Sequence, residues 1–71
     1  MSIDKKDTIY QLEKLGFINR GELIVNGKIE IVIYDNDIFL SVEGEEPLLF
    51  DRLWKLIEYL VKNHSMYLWG K

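Results

Sequence analysis

The side chains that could do chemistry are few: one histidine, His64, three serines at positions 2, 41 and 65, and twelve carboxylates. A metal site needs several nitrogen, sulfur or oxygen ligands brought to one point. A lone histidine in a chain without cysteine does not offer that set by spacing. His64 falls where the longest helical pattern ends, and there an imidazolium complements the helix dipole, so a structural role is expected. Asp35-Asn36-Asp37 opens like a calcium loop, but Phe39 and an apolar run follow at once and the twelve-residue pattern is not completed. A hydrated turn is the expected reading, since Asp and Asn tolerate positive φ. Ser2, Ser41 and Ser65 would have to share His64 as their base, and none stands in a nucleophile elbow. The glycines occur singly, without a phosphate-loop or dinucleotide fingerprint. No catalytic, cofactor or metal site is expected, and the protein is read as a non-enzyme.

The elements that would have to position any site come from a 71-residue chain. That length fits one small domain. With 48% hydrophobic and 13% aromatic residues the chain is too apolar to remain disordered. Without cysteine it lacks disulfide or thiolate braces, and small unbraced domains often gain stability by association. No apolar run reaches membrane-span length and no signal-peptide pattern opens the chain, so a cytoplasmic protein is expected. Asn63-His64-Ser65 matches a glycosylation sequon and is read as chance in that setting.

The turn chemistry specifies most of the fold. Asn26-Gly27 lies between two β-rich runs, a strong hairpin signal. Closing a two-residue loop there pairs Val25 with Lys28 and Ile24 with Ile29. A turn at Asp35-Asn36 pairs Ile33 with Ile38, Ile31 with Leu40 and Ile29 with Val42. Strand side chains alternate with period two, so these isoleucines, Leu40 and Val42 share one face of a three-stranded antiparallel meander. Before it, Ile9, Leu12 and Leu15 recur at helical spacing, with Asp4 or Asp7 as cap and Gly16 as terminator; Phe17 and Ile18 then follow as expected core residues, and Asn19-Arg20-Gly21 as a turn before the first strand. After it, Pro47 suits a first helical turn, and Glu45, Glu46 and Asp51 would complement the dipole there. Leu49, Leu53, Leu56, Ile57 and Leu60 then form a stripe widened by Phe50, Trp54 and Val61 to roughly 160° of the helix. The expectation is an α+β domain of order α-β-β-β-α: helix about 7–15, strands about 22–26, 28–34 and 38–43, and helix about 47–63. The apolar tail 64–71 would fold over Trp54 or add a short C-terminal strand.

Leu12-Glu13-Lys14-Leu15-Gly16-Phe17-Ile18 followed by the Asn-Gly hairpin resembles the recognition-helix-to-wing passage of winged-helix DNA-binding domains, over about residues 8–34. The resemblance implies a small DNA-binding regulator. The chain departs from that family in two ways: only seven residues precede Thr8, where two further helices would stand, and a third strand follows the hairpin. Charge also weighs against nucleic acid. Residues 1–34 carry five bases and five acids, residues 35–51 six acids and no base, and residues 52–71 four bases and one acid. Phosphate binding needs a basic face, and no membrane surface is implied either.

The clearest functional signal is apolar surface in excess of one core. The sheet face opposite the isoleucines carries Leu23, Val25, Val32, Tyr34 and Phe39 among Lys28, Glu30, Ser41 and Glu43, whereas a wet sheet face usually alternates more cleanly. A protein–protein interaction module is expected, most simply a homodimer. The candidate interface residues are Val32, Tyr34, Phe39, Phe50, Trp54, Val61 and Trp69. The alternative is a small acidic inhibitor or regulator of phage type, whose face Asp35, Asp37, Glu43, Glu45, Glu46 and Asp51 would meet a basic protein.

Overall fold

The computed structural model describes residues 3–70, except for the side chains of residues 67, 69 and 70. The first helix, α1, runs Lys5–Lys14. Five strands follow: β1 Ile18–Asn19, β2 Ile24–Asn26, β3 Ile29–Ile33, β4 Ile38–Val42 and β5 Leu48–Phe50. The second helix, α2, spans Leu53–His64, and a 3-10 segment, Ser65–Gly70, ends the described chain. The strands form one antiparallel sheet in the order β1-β2-β3-β4-β5. This is the expected α+β class, with the meander extended from three strands to five.

Both ends of α1 follow from local chemistry. Asp4 is the N-cap, its Oδ1 accepting from the Asp7 N–H at 3.1 Å, and the Thr8 hydroxyl donates to the Asp4 carbonyl. At the other end the Gly16 N–H donates to the Glu13 carbonyl and the Phe17 N–H to the Leu12 carbonyl. These two bonds make a Schellman ending, which requires the left-handed φ of 99° that Gly16 supplies. Leu12 and Phe17, the pair such an ending brings together, are both buried.

The β3–β4 register is the expected one, with Ile33 opposite Ile38, Ile31 opposite Leu40 and Ile29 opposite Val42. The β2–β3 register differs. Asn26 pairs with Ile29 and Ile24 with Ile31, so the two-residue loop is Gly27-Lys28 rather than Asn26-Gly27. Gly27 takes φ 60°, open to glycine without penalty. Each partner moves by two residues, so every side chain keeps its face.

Three further expectations are corrected. Leu48-Leu49-Phe50 is not the first turn of the second helix but strand β5, paired with Leu40-Phe39-Ile38. The pairing covers what would otherwise be the bare edge of β4, and Pro47 is as compatible with a strand start as with a helix start. Ile18 is not a core residue; with Asn19 it forms a short strand on β2 and is 61% exposed. The turn expected at Asn19-Arg20-Gly21 does occur, tied by Arg20 N–H to Leu23 carbonyl and Gly21 N–H to Asn19 Oδ1, but it joins two strands. The described part of the tail is not a strand: Ser65–Gly70 coils as a 3-10 segment that sends Leu68 into the core, and Trp54 stays 60% exposed.

The core therefore has a simple plan. Ile24, Ile29, Ile31, Ile33, Ile38, Leu40 and Val42 line one face of the sheet. Leu12 and Leu15 of α1, Leu56 and Leu60 of α2, and Leu68 pack in the same buried cluster. Helices and tail all lie on that face, giving two layers.

Candidate functional site: an open sheet face

Because helices and tail share one side, the other side of the sheet is left without a covering layer. Strand pairing arranges its side chains in rows. Val32, Phe39 and Leu49 lie side by side across β3, β4 and β5. Ile18, Val25, Glu30 and Ser41 form the neighbouring row across β1 to β4. Ile18 and Leu49 are more than half exposed, Tyr34 is 52% exposed, and Val25, Val32 and Phe39 are half-buried by their neighbours alone. At one end of the face Gly27, Lys28, Glu30, Ser41 and Glu43 line a shallow polar depression. The result is an apolar patch with a charged border, the usual anatomy of an interface.

The candidate interface residues do not form one surface. Val32, Tyr34 and Phe39 belong to the open sheet face. Trp54 and Val61 are exposed on α2, in the opposite layer. Phe50 serves the fold instead: it is partly buried against the core, with its ring 5.6 Å from that of Tyr59. The side chain of Trp69 lies outside the described residues. Two residues that sequence reasoning missed, Ile18 and Leu49, belong to the patch. Ile18 had a usable signal, since strand parity joins it to Val25 once β1 is recognised; Leu49 was hidden by its place in a helical stripe.

The six acids expected to form one face are divided between the two ends of β4. Asp37 and Asp51 flank the Ile38–Phe50 pair, and the Ile3 N–H donates to the Asp35 carbonyl, so Asp35, Asp37 and Asp51 gather near the start of α1. Glu43, Glu45 and Glu46 sit at the other end, roughly 16 Å along the strand. There Glu45 faces His64, the last residue of α2, so Glu45 and Glu46 do not stand at the N-terminus of that helix as expected. Asp51 alone precedes it. The Lys55 ammonium, 3.1 Å away, holds the Asp51 carboxyl below the usual aspartate range by hydrogen bonding and charge.

His64 ends α2 as expected and is buried. Among the described residues, no three His, Cys, Asp or Glu side chains converge to hold a metal ion. Ser41 sits on the open face and Ser65 at the end of α2, so neither shares a cleft with the other, and Ser2 lies outside the described residues. No helix among the described residues is long and apolar enough to cross a membrane. The fold and its surface define a two-layer α+β domain with one open sheet face. Comparison with protein-family models, with curated proteins and with solved structures found no match.

Proposed function

We propose that this protein is a non-catalytic interaction module that pairs with a second copy of itself through the open face of its sheet. The observation that carries the reading is the row Val32, Phe39 and Leu49, apolar across three adjacent strands, on a face that neither helix covers. Antiparallel sheets commonly leave one face in water, but that face is then mainly polar.

Strand addition at the sheet edges is the competing route to association. The edge strands here are two and three residues long, β1 and β5, and short edges are poor templates. Stacking of two open faces is therefore favoured. It would give a four-layer assembly with helices outside and two sheets packed about 10 Å apart. The five strands span roughly 24 Å across the sheet, and the two longest, β3 and β4, run about 17 Å along it. That footprint is modest beside the ~800 Å² per partner of a stable interface, so exchange in the micromolar range is expected.

A winged-helix reading draws nothing further from the fold. The hairpin that would be the wing is paired along the whole of β3 by β4, and Glu30 stands beside Lys28 on the open face.

Sedimentation velocity from micromolar to millimolar concentration tests the proposal, because self-association follows mass action. The weight-average mass should rise from one 8.4 kDa chain towards two. A single chain at every concentration would end the homodimer reading.

A further inference from the structure

A second surface lies in the helix layer, away from the open sheet. The starts of α1 and α2 diverge around a groove of about 450 Å³ lined by Ile3, Asp4, Asp7, Thr8 and Gln11 on one side and Asp51 to Trp54 and Ile57 on the other. Its apolar part is Ile3, Leu53, Ile57 and the indole of Trp54. That indole is 60% exposed, an unusual state for the largest apolar side chain in a small domain. Three carboxylates, those of Asp4, Asp7 and Asp51, line the same groove, with Asp35 and Asp37 close behind them. Arg52 is the one cation among the lining residues, and Lys55 beside the groove is already paired with Asp51.

We propose that this groove docks a segment of another polypeptide that combines apolar side chains with lysine or arginine. Charge complementarity selects the occupant. With Asp51 already paired to Lys55, the carboxylates of Asp4 and Asp7 remain against the single cation Arg52, so an acidic segment would add to that excess whereas a basic one offsets it. Trp54 supplies the anchor, an amphipathic ring whose face also suits a cation; the Lys55 ammonium already lies 5.8 Å from its centroid. At the start of α2, Arg52 is the N-cap and makes no side-chain capping bond, so first-turn N–H groups can take backbone carbonyls of a bound segment whatever its charge. This site is independent of the sheet-face pairing.

The test is an NMR titration of the ¹⁵N-labelled full chain with two synthetic peptides of equal length, one of alternating leucine and lysine pairs and the other of leucine and glutamate. The lysine peptide should shift the resonances of Asp4, Thr8, Gln11, Leu53 and Ile57 and the Trp54 indole N–H, and raising salt to 0.3 M should weaken it several-fold. Two variants should each reduce binding about ten-fold: Trp54→Ala, and the combined Asp4→Asn, Asp7→Asn and Asp51→Asn. The asparagine at position 4 retains an N-cap acceptor, so the second variant keeps α1 in place, which far-ultraviolet circular dichroism checks. Equal binding of the glutamate peptide would overturn the proposal. So would shifts that map to Val32, Phe39 and Leu49, or no groove shifts with the lysine peptide. Groove shifts that follow protein concentration alone would also overturn it, by assigning the groove to a second copy.

Discussion

The Nε2 of His64 lies 3.9 Å from the Oε1 of Glu45, beyond hydrogen-bond reach, with the imidazole 9% exposed and the carboxylate half exposed. Among the described residues it is the buried side-chain nitrogen that has no partner. Its ring instead stacks obliquely near Tyr59, centroid to centroid 5.7 Å. An unpaired buried polar atom lowers stability, and an apolar side chain of similar volume removes that penalty. His64→Leu should therefore leave stability unchanged or raise it by up to about 1 kcal/mol. Urea denaturation measures this. A loss beyond about 2 kcal/mol would show that the imidazole is held by a polar contact.

Acid should weaken the Asp51–Lys55 link in a defined direction. The Asp51 carboxyl is lowered from 3.8, so the pair stabilises the fold above the unfolded-state value and that contribution is lost as pH falls through the folded-state value. Both side chains are largely exposed, so solvent screening keeps the effect small. Lys55→Met should remove it: between pH 5 and pH 2 the thermal midpoint of the variant should fall less than that of the parent. Parallel melting curves for the two proteins would show that the pair contributes nothing.

Glycine 44 separates backbone strain from packing. It adopts φ 85°, and a Cβ built there meets nothing within 4 Å. The substitution Gly44→Ala should cost about 1 kcal/mol from conformation alone, and Gly44→Asn less, because asparagine tolerates the left-handed region. Denaturation midpoints of the two variants check the order; alanine equal to or better than asparagine would contradict it.

The parts of this fold that were legible in the sequence are those where two signals coincide. The Asp35-Asn36 turn and the isoleucine alternation agree, and β3 and β4 pair in the resulting register. At Asn26-Gly27 the turn signal alone left two registers of equal parity, and the chain uses the one that puts Gly27 first in the loop. Leu48-Leu49-Phe50 carries no periodicity of its own, because three apolar residues suit either a helix face or a strand. What decides is the free edge of β4, a tertiary fact that local pattern does not contain. The open face was legible through Val32, Tyr34 and Phe39 on the two well-read strands. Its margins, Ile18 and Leu49, sit on the two strands that were not, and the division of the acids between two ends follows from the same misplaced β5.

The core should answer truncation according to burial. Leu56 and Leu60 of α2 are fully buried against the sheet isoleucines, and deletion of such a side chain leaves a cavity. Leu56→Ala should cost about 2–5 kcal/mol, a large share of the stability of a domain this small. Val61→Ala, at a position of the same helix that is 48% exposed, should cost less than about 1 kcal/mol. Similar losses at both positions would mean that the exposed side of α2 is covered in solution.

The two exposed apolar surfaces can be separated by placing a charge on each. Leu49 is 63% exposed on the sheet and Trp54 is 60% exposed on α2, so aspartate at either position should be tolerated by the folded chain. If copies stack through the sheet, Leu49→Asp buries a carboxylate in an apolar interface, once from each copy. Without a partner charge that costs several kcal/mol, enough to shift a micromolar dissociation constant beyond the concentrations that sedimentation can reach. Trp54→Asp, on the opposite layer, should leave the self-association isotherm in place. The reverse pattern would move the homodimer to the helix face and leave the sheet face for another partner. Loss of association in both variants, with melting midpoints unchanged, would require an interface that wraps the β5–α2 corner.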